Sequence, residues 1–121
     1  MNKILAILLL TLPLVGFGQF KHKGKAGLKV VETSTQSFLG RCWGYYVVFE
    51  NKSNKTIDGI KWTATFTNNF GEVLGVRNGD WQSGNLIGIL EPGQTTEDIE
   101  SNYVKGGLKI WITITKVHFV E

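Results

Sequence analysis

The chain has one cysteine, two prolines and two histidines among its 121 residues, and each scarcity removes a class of protein. A lone cysteine, Cys42, makes no internal disulfide, so stability has to come from apolar burial and backbone hydrogen bonding. Arg41 beside it favours a thiolate, but the burial habit of free cysteine makes a small buried hydrophobe the expected role. One cysteine with two distant histidines, His22 and His118, is no zinc ligand set. Neither histidine has a second ligand or base nearby in sequence, and His118 shares the parity of Lys116, which directs it to solvent. The expectation is a non-enzymatic chain with no catalytic residues, no cofactor and no metal.

Long apolar runs are also missing, with one exception at the N-terminus. Met1-Asn2-Lys3 is a short basic start, Ile4 to Val15 is almost wholly apolar, and Gly16-Phe17-Gly18 supplies small residues three apart. That is the grammar of a cleaved signal peptide over 1–18. The run is interrupted by Thr11 and Pro13 and falls short of the roughly 20 apolar residues that cross a bilayer, so no integral membrane segment is expected in the mature chain. Cys42 lies far from the cleavage site, which removes a lipid anchor there. The expected location is secreted or periplasmic.

Strong charge of one sign is absent. The net charge of +3 falls to about +2 without Lys3, a weak field that makes no case for nucleic acid. Its distribution is uneven. Lys21, His22, Lys23, Lys25 and Lys29 cluster in and beside a basic stretch over 19–27, read as a flexible arm, while Glu91, Glu97, Asp98 and Glu100 gather late. Such clusters are solvated surfaces or an electrostatic contact with an acidic cell-surface polymer.

What remains is strand chemistry: fifteen glycines and many β-branched and aromatic residues, with no helical repeat longer than two turns. Leu28 to Thr33 reads as an edge strand, followed by polar Ser34 to Ser37. Trp43 to Glu50, apolar on both faces, reads as a central strand covered on each side. Ile60, Trp62, Ala64 and Phe66 alternate with Lys61, Thr63, Thr65 and Thr67, which fixes one buried and one wet face. Asn68-Asn69-Phe70-Gly71 turns the chain into Glu72 to Arg77, giving a hairpin over 60–77. Asn78-Gly79-Asp80 reads as a break, Leu86 to Leu90 as a short strand, and Glu91-Pro92-Gly93-Gln94 as a type II turn. Thr95 to Glu100 reads as a polar edge strand and Asn102 to Gly107 as a loop. In the last strand, Leu108 to Val120, the apolar parity changes between Ile114 and Val117, which calls for a one-residue bulge near Thr115-Lys116 or a change of sheet partner. About seven short strands over 28–121 predict a single all-β domain, an immunoglobulin-like antiparallel sandwich.

The runs Tyr46 to Ile57, Ile60 to Phe66, Phe70 to Val73 and Leu90 to Thr95, with their Asn-x-Ser and Pro-Gly turns, resemble the FxLYD-type secreted immunoglobulin-like domains of bacteria. Phe66-Thr67-Asn68 stands where that family carries leucine, tyrosine and aspartate. The resemblance implies a sandwich fold, an extracytoplasmic setting and a binding or structural role, and it brings no catalytic residues.

Among the aromatics, Trp62 shares the inward parity and is core. Trp111 lies opposite in parity to Ile110 and Ile112, among threonines, and Trp81 follows the break at 78–80, so these two, with Tyr45 and Thr113, are the candidate binding residues. Aromatic rings on a sheet face stack on sugar rings or anchor a protein partner; the same rings equally close a small sandwich. Asn78-Gly79-Asp80 offers oxygens to calcium without the ordered alternation of a dedicated loop, and solvated turn residues are the plainer reading. The Asn51-Lys52-Ser53 and Asn54-Lys55-Thr56 triplets match glycosylation acceptors but, behind a bacterial-looking leader, read as a turn. The expected function is binding to another envelope or extracellular protein; the alternative is binding a polysaccharide through exposed aromatics.

Overall fold

Two-residue periodicity needs two layers to bury it, and the computed structural model has them. It describes residues 21–38, 41–83, 88–101 and 104–121. The expected signal peptide and the first two residues of the strand expected over Leu86 to Leu90 lie outside the described residues; of the rest, Gly88 and Ile89 are not strand and Leu90 forms an isolated bridge to Ile57. The strands are β1 (Leu28–Phe38), β2 (Arg41–Asn51), β3 (Ile57–Thr67), β4 (Val73–Gln82), β5 (Thr95–Glu100), β6 (Val104–Lys105) and β7 (Lys109–Phe119). One sheet runs β1-β2-β5, with β6 also pairing β2; the other runs β4-β3-β7. All strand pairs are antiparallel. The first, second and fifth strands therefore face the third, fourth and seventh, the order of an immunoglobulin-like sandwich. No helix among the described residues is long and apolar enough to cross a membrane.

The core lies between the inward rows. Tyr45, Val47 and Phe49 of β2 meet Ile60, Trp62, Ala64 and Phe66 of β3 and Ile110, Ile112 and Ile114 of β7, all buried. Phe49 and Trp62 have ring centroids 4.9 Å apart, and Tyr45 meets Phe66 edge-on at 5.6 Å. Each such side chain contributes about 1.5–3 kcal/mol by leaving water. The Trp62 indole N–H donates to the Tyr45 hydroxyl at 2.9 Å, which satisfies the one polar atom the ring brings inside.

The expected bulge in β7 is present. Lys61 faces Lys116 while Trp62 faces Ile114, so Thr115 is the extra residue. Ile110, Ile112 and Ile114 stay buried, and Val117 and Phe119 pack against the core from beyond the bulge. The Pro-Gly turn also forms: Gly93 takes φ +84° and Gln94 N–H donates to Glu91 O at 3.0 Å.

Asn51 ties three segments together. Fully buried, its Nδ2 donates to Lys55 O at 2.8 Å and Leu90 O at 3.0 Å. Its Oδ1 accepts from the Ser53 N–H and hydroxyl. The backbone at Asn51 also bonds to Gly93 and Gln94. The triplet is a turn, and the amide is spent inside it.

Several expectations need correction. Asn78-Gly79-Asp80 is no break, because β4 runs through it in register with Thr63, Trp62 and Lys61. A glycine stands there because the Trp62 indole covers it: a Cβ on Gly79 would lie 2.2 Å from that ring. The triplet is thus extended strand and no calcium loop either. β1 extends past Thr33 to Phe38, its polar residues pairing with β2 at the sheet edge. The loop expected over 102–107 includes β6. Cys42 lies in β2 opposite Val104; its side chain is outside the described residues. The second face of β2 is not covered by another layer as expected: Trp43 is exposed, Tyr46 and Val48 are half-buried, and the Tyr46 hydroxyl donates to Glu97 at 2.6 Å on the open surface.

The basic stretch expected to be a flexible arm is held to the sheet. Lys23 N–H donates to Ile112 O at 2.8 Å and Ile114 N–H to Lys23 O at 2.9 Å, a parallel bridge along β7.

Candidate functional site

Alternation that buries Ile110 and Ile112 turns Lys109, Trp111 and Thr113 outward. Register then sets their neighbours. Across β3, Thr113 faces Thr63, Trp111 faces Thr65 and Lys109 faces Thr67; beyond the bulge Lys116 faces Lys61. Across β4, Asp80 faces Lys61, Asn78 faces Thr63, Val76 faces Thr65 and Val73 faces Thr67. This outer face carries a threonine row in the middle, lysines at one end, and Trp111 with valines toward the other.

Trp111 is half-buried. Its Nε1 donates to Thr67 Oγ1 at 3.0 Å, and His22 stands beside it, ring centroids 5.7 Å apart at 43°. His22 Nδ1 accepts from Ile112 N–H at 3.0 Å, which leaves Nε2 as the protonated nitrogen, 3.3 Å from Thr33 Oγ1. Burial lowers the His22 pKa below 6.5 and so keeps the ring neutral, as an acceptor must be. Trp111 lines two recesses: one of about 430 Å³ with His22, Thr33 and Thr35, and one of about 250 Å³ with Asn68, Phe70 and Lys109. A third recess, about 350 Å³, opens at the basic end beside Lys61, Lys116, Gln82 and His118. There His118 Nδ1 lies 2.5 Å from Asp58 Oδ1.

Of the four candidate binding residues, the face unites two, Trp111 and Thr113. Tyr45 is fully buried under Trp62, and burial pushes its hydroxyl up to about 12. Trp81, expected at a loop rim, is 5% exposed and completes the core; it follows no turn, since 78–80 is strand. His118 is exposed as expected, but it has a partner in Asp58, brought near by a β3 irregularity between Ile57 and Gly59.

Two features escaped sequence reasoning. The hairpin end of edge strand β4 exposes Phe70 at 85%, Val73 at 51% and Val76 at 50%; the outward parity of Val76 was legible, the lack of cover was not. On β5, Asp98 and Glu100 point inward opposite Val47 and Tyr45. Burial, a hydrogen bond that the Glu100 carboxyl donates to Asp98 and the charges of Asp98 and Asp80 push Glu100 up to about 7, and the buried Asp98 Oδ2 has no partner among the described residues. Among the described residues no three His, Cys, Asp or Glu side chains converge to hold a metal.

No family model matches the chain, and no curated protein matches it either. Among solved structures, a DUF1425 family member from Shewanella sp. pv-4 is similar at 15% sequence identity and a TM-score of 0.49, the match covering 74% of this chain and 77% of that one.

Proposed function

We propose that this protein is a non-enzymatic, exported interaction module that binds another envelope or extracellular protein at the hairpin end of β4. The observation that carries the reading is the collection of exposed Phe70, in the turn before β4, with Val73 and Val76 on β4, an edge strand whose outer side no described strand covers. Exposed apolar side chains on a long sheet edge invite strand pairing, a liability that natural sheets blunt unless it serves a partner. An extended partner segment added to β4 gains main-chain hydrogen bonds from the edge and side-chain contacts from the three residues. The leader grammar of residues 1–18 supports export, and the resemblance to FxLYD-type domains supports a binding role on a bacterial cell surface or in the periplasm.

The test is cross-linking in the native envelope with a photoreactive residue at Val76. A discrete adduct that disappears in Val73→Lys with Val76→Lys, while circular dichroism stays strand-like, is the expected result. The same adduct pattern from a probe at an exposed site on the other sheet, such as Lys29, would defeat the reading.

A further inference from the structure

We propose that the outer face of the β4-β3-β7 sheet binds an acidic polysaccharide, its anionic groups held between Lys61, Lys116 and Lys23 and a sugar ring set against Trp111. The proposal stands on different residues from the hairpin-end reading and survives or fails separately.

Charge carries it. Lys61 and Lys116 are directly opposite each other on antiparallel strands, a placement that brings β-carbons to about 5 Å and destabilises when the charges are alike. Lys23 bridges to Thr113 on the outer edge of β7 and so sits on the same face, as does Lys109 opposite Thr67. None of these four lysines has a described carboxylate within ion-pair distance. Asp80 faces Lys61 across β4 and partly offsets its charge, although Asp80 Oδ2 accepts from Gln82 at 3.1 Å rather than from a lysine, and Asp58 pairs with His118. With four lysines and one in-register carboxylate the face stays positive, and the repulsion between Lys61 and Lys116 is relieved by an anion bridging them.

The rest of the face selects the kind of anion. Thr63, Thr65, Thr113 and Asn78 present hydroxyls and an amide at strand spacing, a flat set of donors and acceptors suited to sugar hydroxyls. Trp111 lies about 13 Å from the lysine pair along β3, with its indole edge fixed by Thr67 and recesses on both sides. One aromatic platform with neighbouring hydroxyls suits a sugar chain; a single-stranded nucleic acid is instead held by successive stacked bases.

The test is affinity electrophoresis of the purified protein through gels containing polygalacturonate, dextran sulfate or neutral dextran, with a 20-nucleotide oligothymidine as competing polyanion. Retardation by polygalacturonate or dextran sulfate but not by dextran is expected, and which of the two retards tells carboxylate from sulfate recognition. Lys61→Ala with Lys116→Ala should weaken retardation about tenfold and soften its salt dependence. Trp111→Ala should also weaken it, and the Lys61→Arg, Lys116→Arg pair should retain it. Removing the lysine repulsion leaves the thermal midpoint unchanged or raised, so loss of binding cannot be laid to misfolding. No retardation by either acidic gel, retardation indifferent to both alanine variants, or oligothymidine competing as strongly as the acidic polysaccharide would each overturn the proposal.

Discussion

The Trp62 indole of β3 lies against the backbone of Gly79 on β4, so close that a β-carbon at 79 would sit 2.2–2.5 Å from three of its ring atoms. Trp62 cannot retreat, since the Phe49 ring packs against it at a tilt and Tyr45 holds its N–H. The contact accounts for a glycine in mid-strand, where glycine otherwise weakens a sheet.

Gly79→Ala is therefore expected to cost about 1–3 kcal/mol, the usual range for overpacking a tight core. Gly88→Ala, with open space around it, should change stability by less than about 0.5 kcal/mol. Urea denaturation of both variants measures the contrast. Equal midpoints would mean that β4 shifts freely and that Trp62 does not pin it.

Asn51 offers a second test. Asn51→Ala strands the carbonyls of Lys55 and Leu90 without their donor and removes the acceptor of Ser53, with an expected cost of about 1–3 kcal/mol. Asn51→Asp should cost at least as much, because it turns an oxygen toward two carbonyl oxygens. Amide exchange read at Leu90 should accelerate in both variants, since that segment is held to β3 by its bridge to Ile57.

Legibility divides along a physical line. The alternation at Ile60 to Phe66, the Pro-Gly turn and the Thr115 bulge were readable because each is written in neighbouring residues: parity, a positive-φ glycine, a change of parity. Gly79 was misread because its reason lies on another strand, and an Asn-Gly-Asp triplet looks the same whether it turns or makes room for an indole. Trp81 was misplaced by the same error. Tyr45 shares the parity of Val47 and Phe49, so its burial was available from the pattern. The opposition of Lys61 and Lys116 depends on the register of β3 and β7, which the bulge sets and no local signal announces. The docking of Lys23 on β7 is likewise tertiary.

His22 should act as an acid-sensitive latch on that docking. Its pKa is lowered from 6.5 by burial, and its neutral Nδ1 accepts the Ile112 N–H. Stability from this contact is complete above pH 6.5 and is lost as pH falls through the lower folded-state value. Exchange protection of Ile112 and Ile114, corrected for intrinsic rates, is expected to fall between pH 7 and pH 4.5 in the wild type. In His22→Ala it should be low and flat. Protection that holds down to pH 4.5 in the wild type would remove the latch.

Glu100 is expected to act in the opposite sense. Burial first, then the Asp98 hydrogen bond and the charges of Asp98 and Asp80, raise its carboxyl from 4.5 to about 7, so the folded chain holds a proton that the unfolded chain releases. Stability from this group is full below about pH 4.5 and is lost as pH rises through about 7. Its size is tempered by solvent, since the group is only partly buried. Glu100→Gln keeps a donor toward Asp98 and removes the charge. The difference in urea midpoint between this variant and wild type should be small at pH 5 and favour the variant at pH 8.5, and taking the difference cancels the His22 contribution. A difference curve flat over that range would mean that Glu100 ionises on the surface and that the inward turn of Asp98 and Glu100 places no proton at the edge of β5.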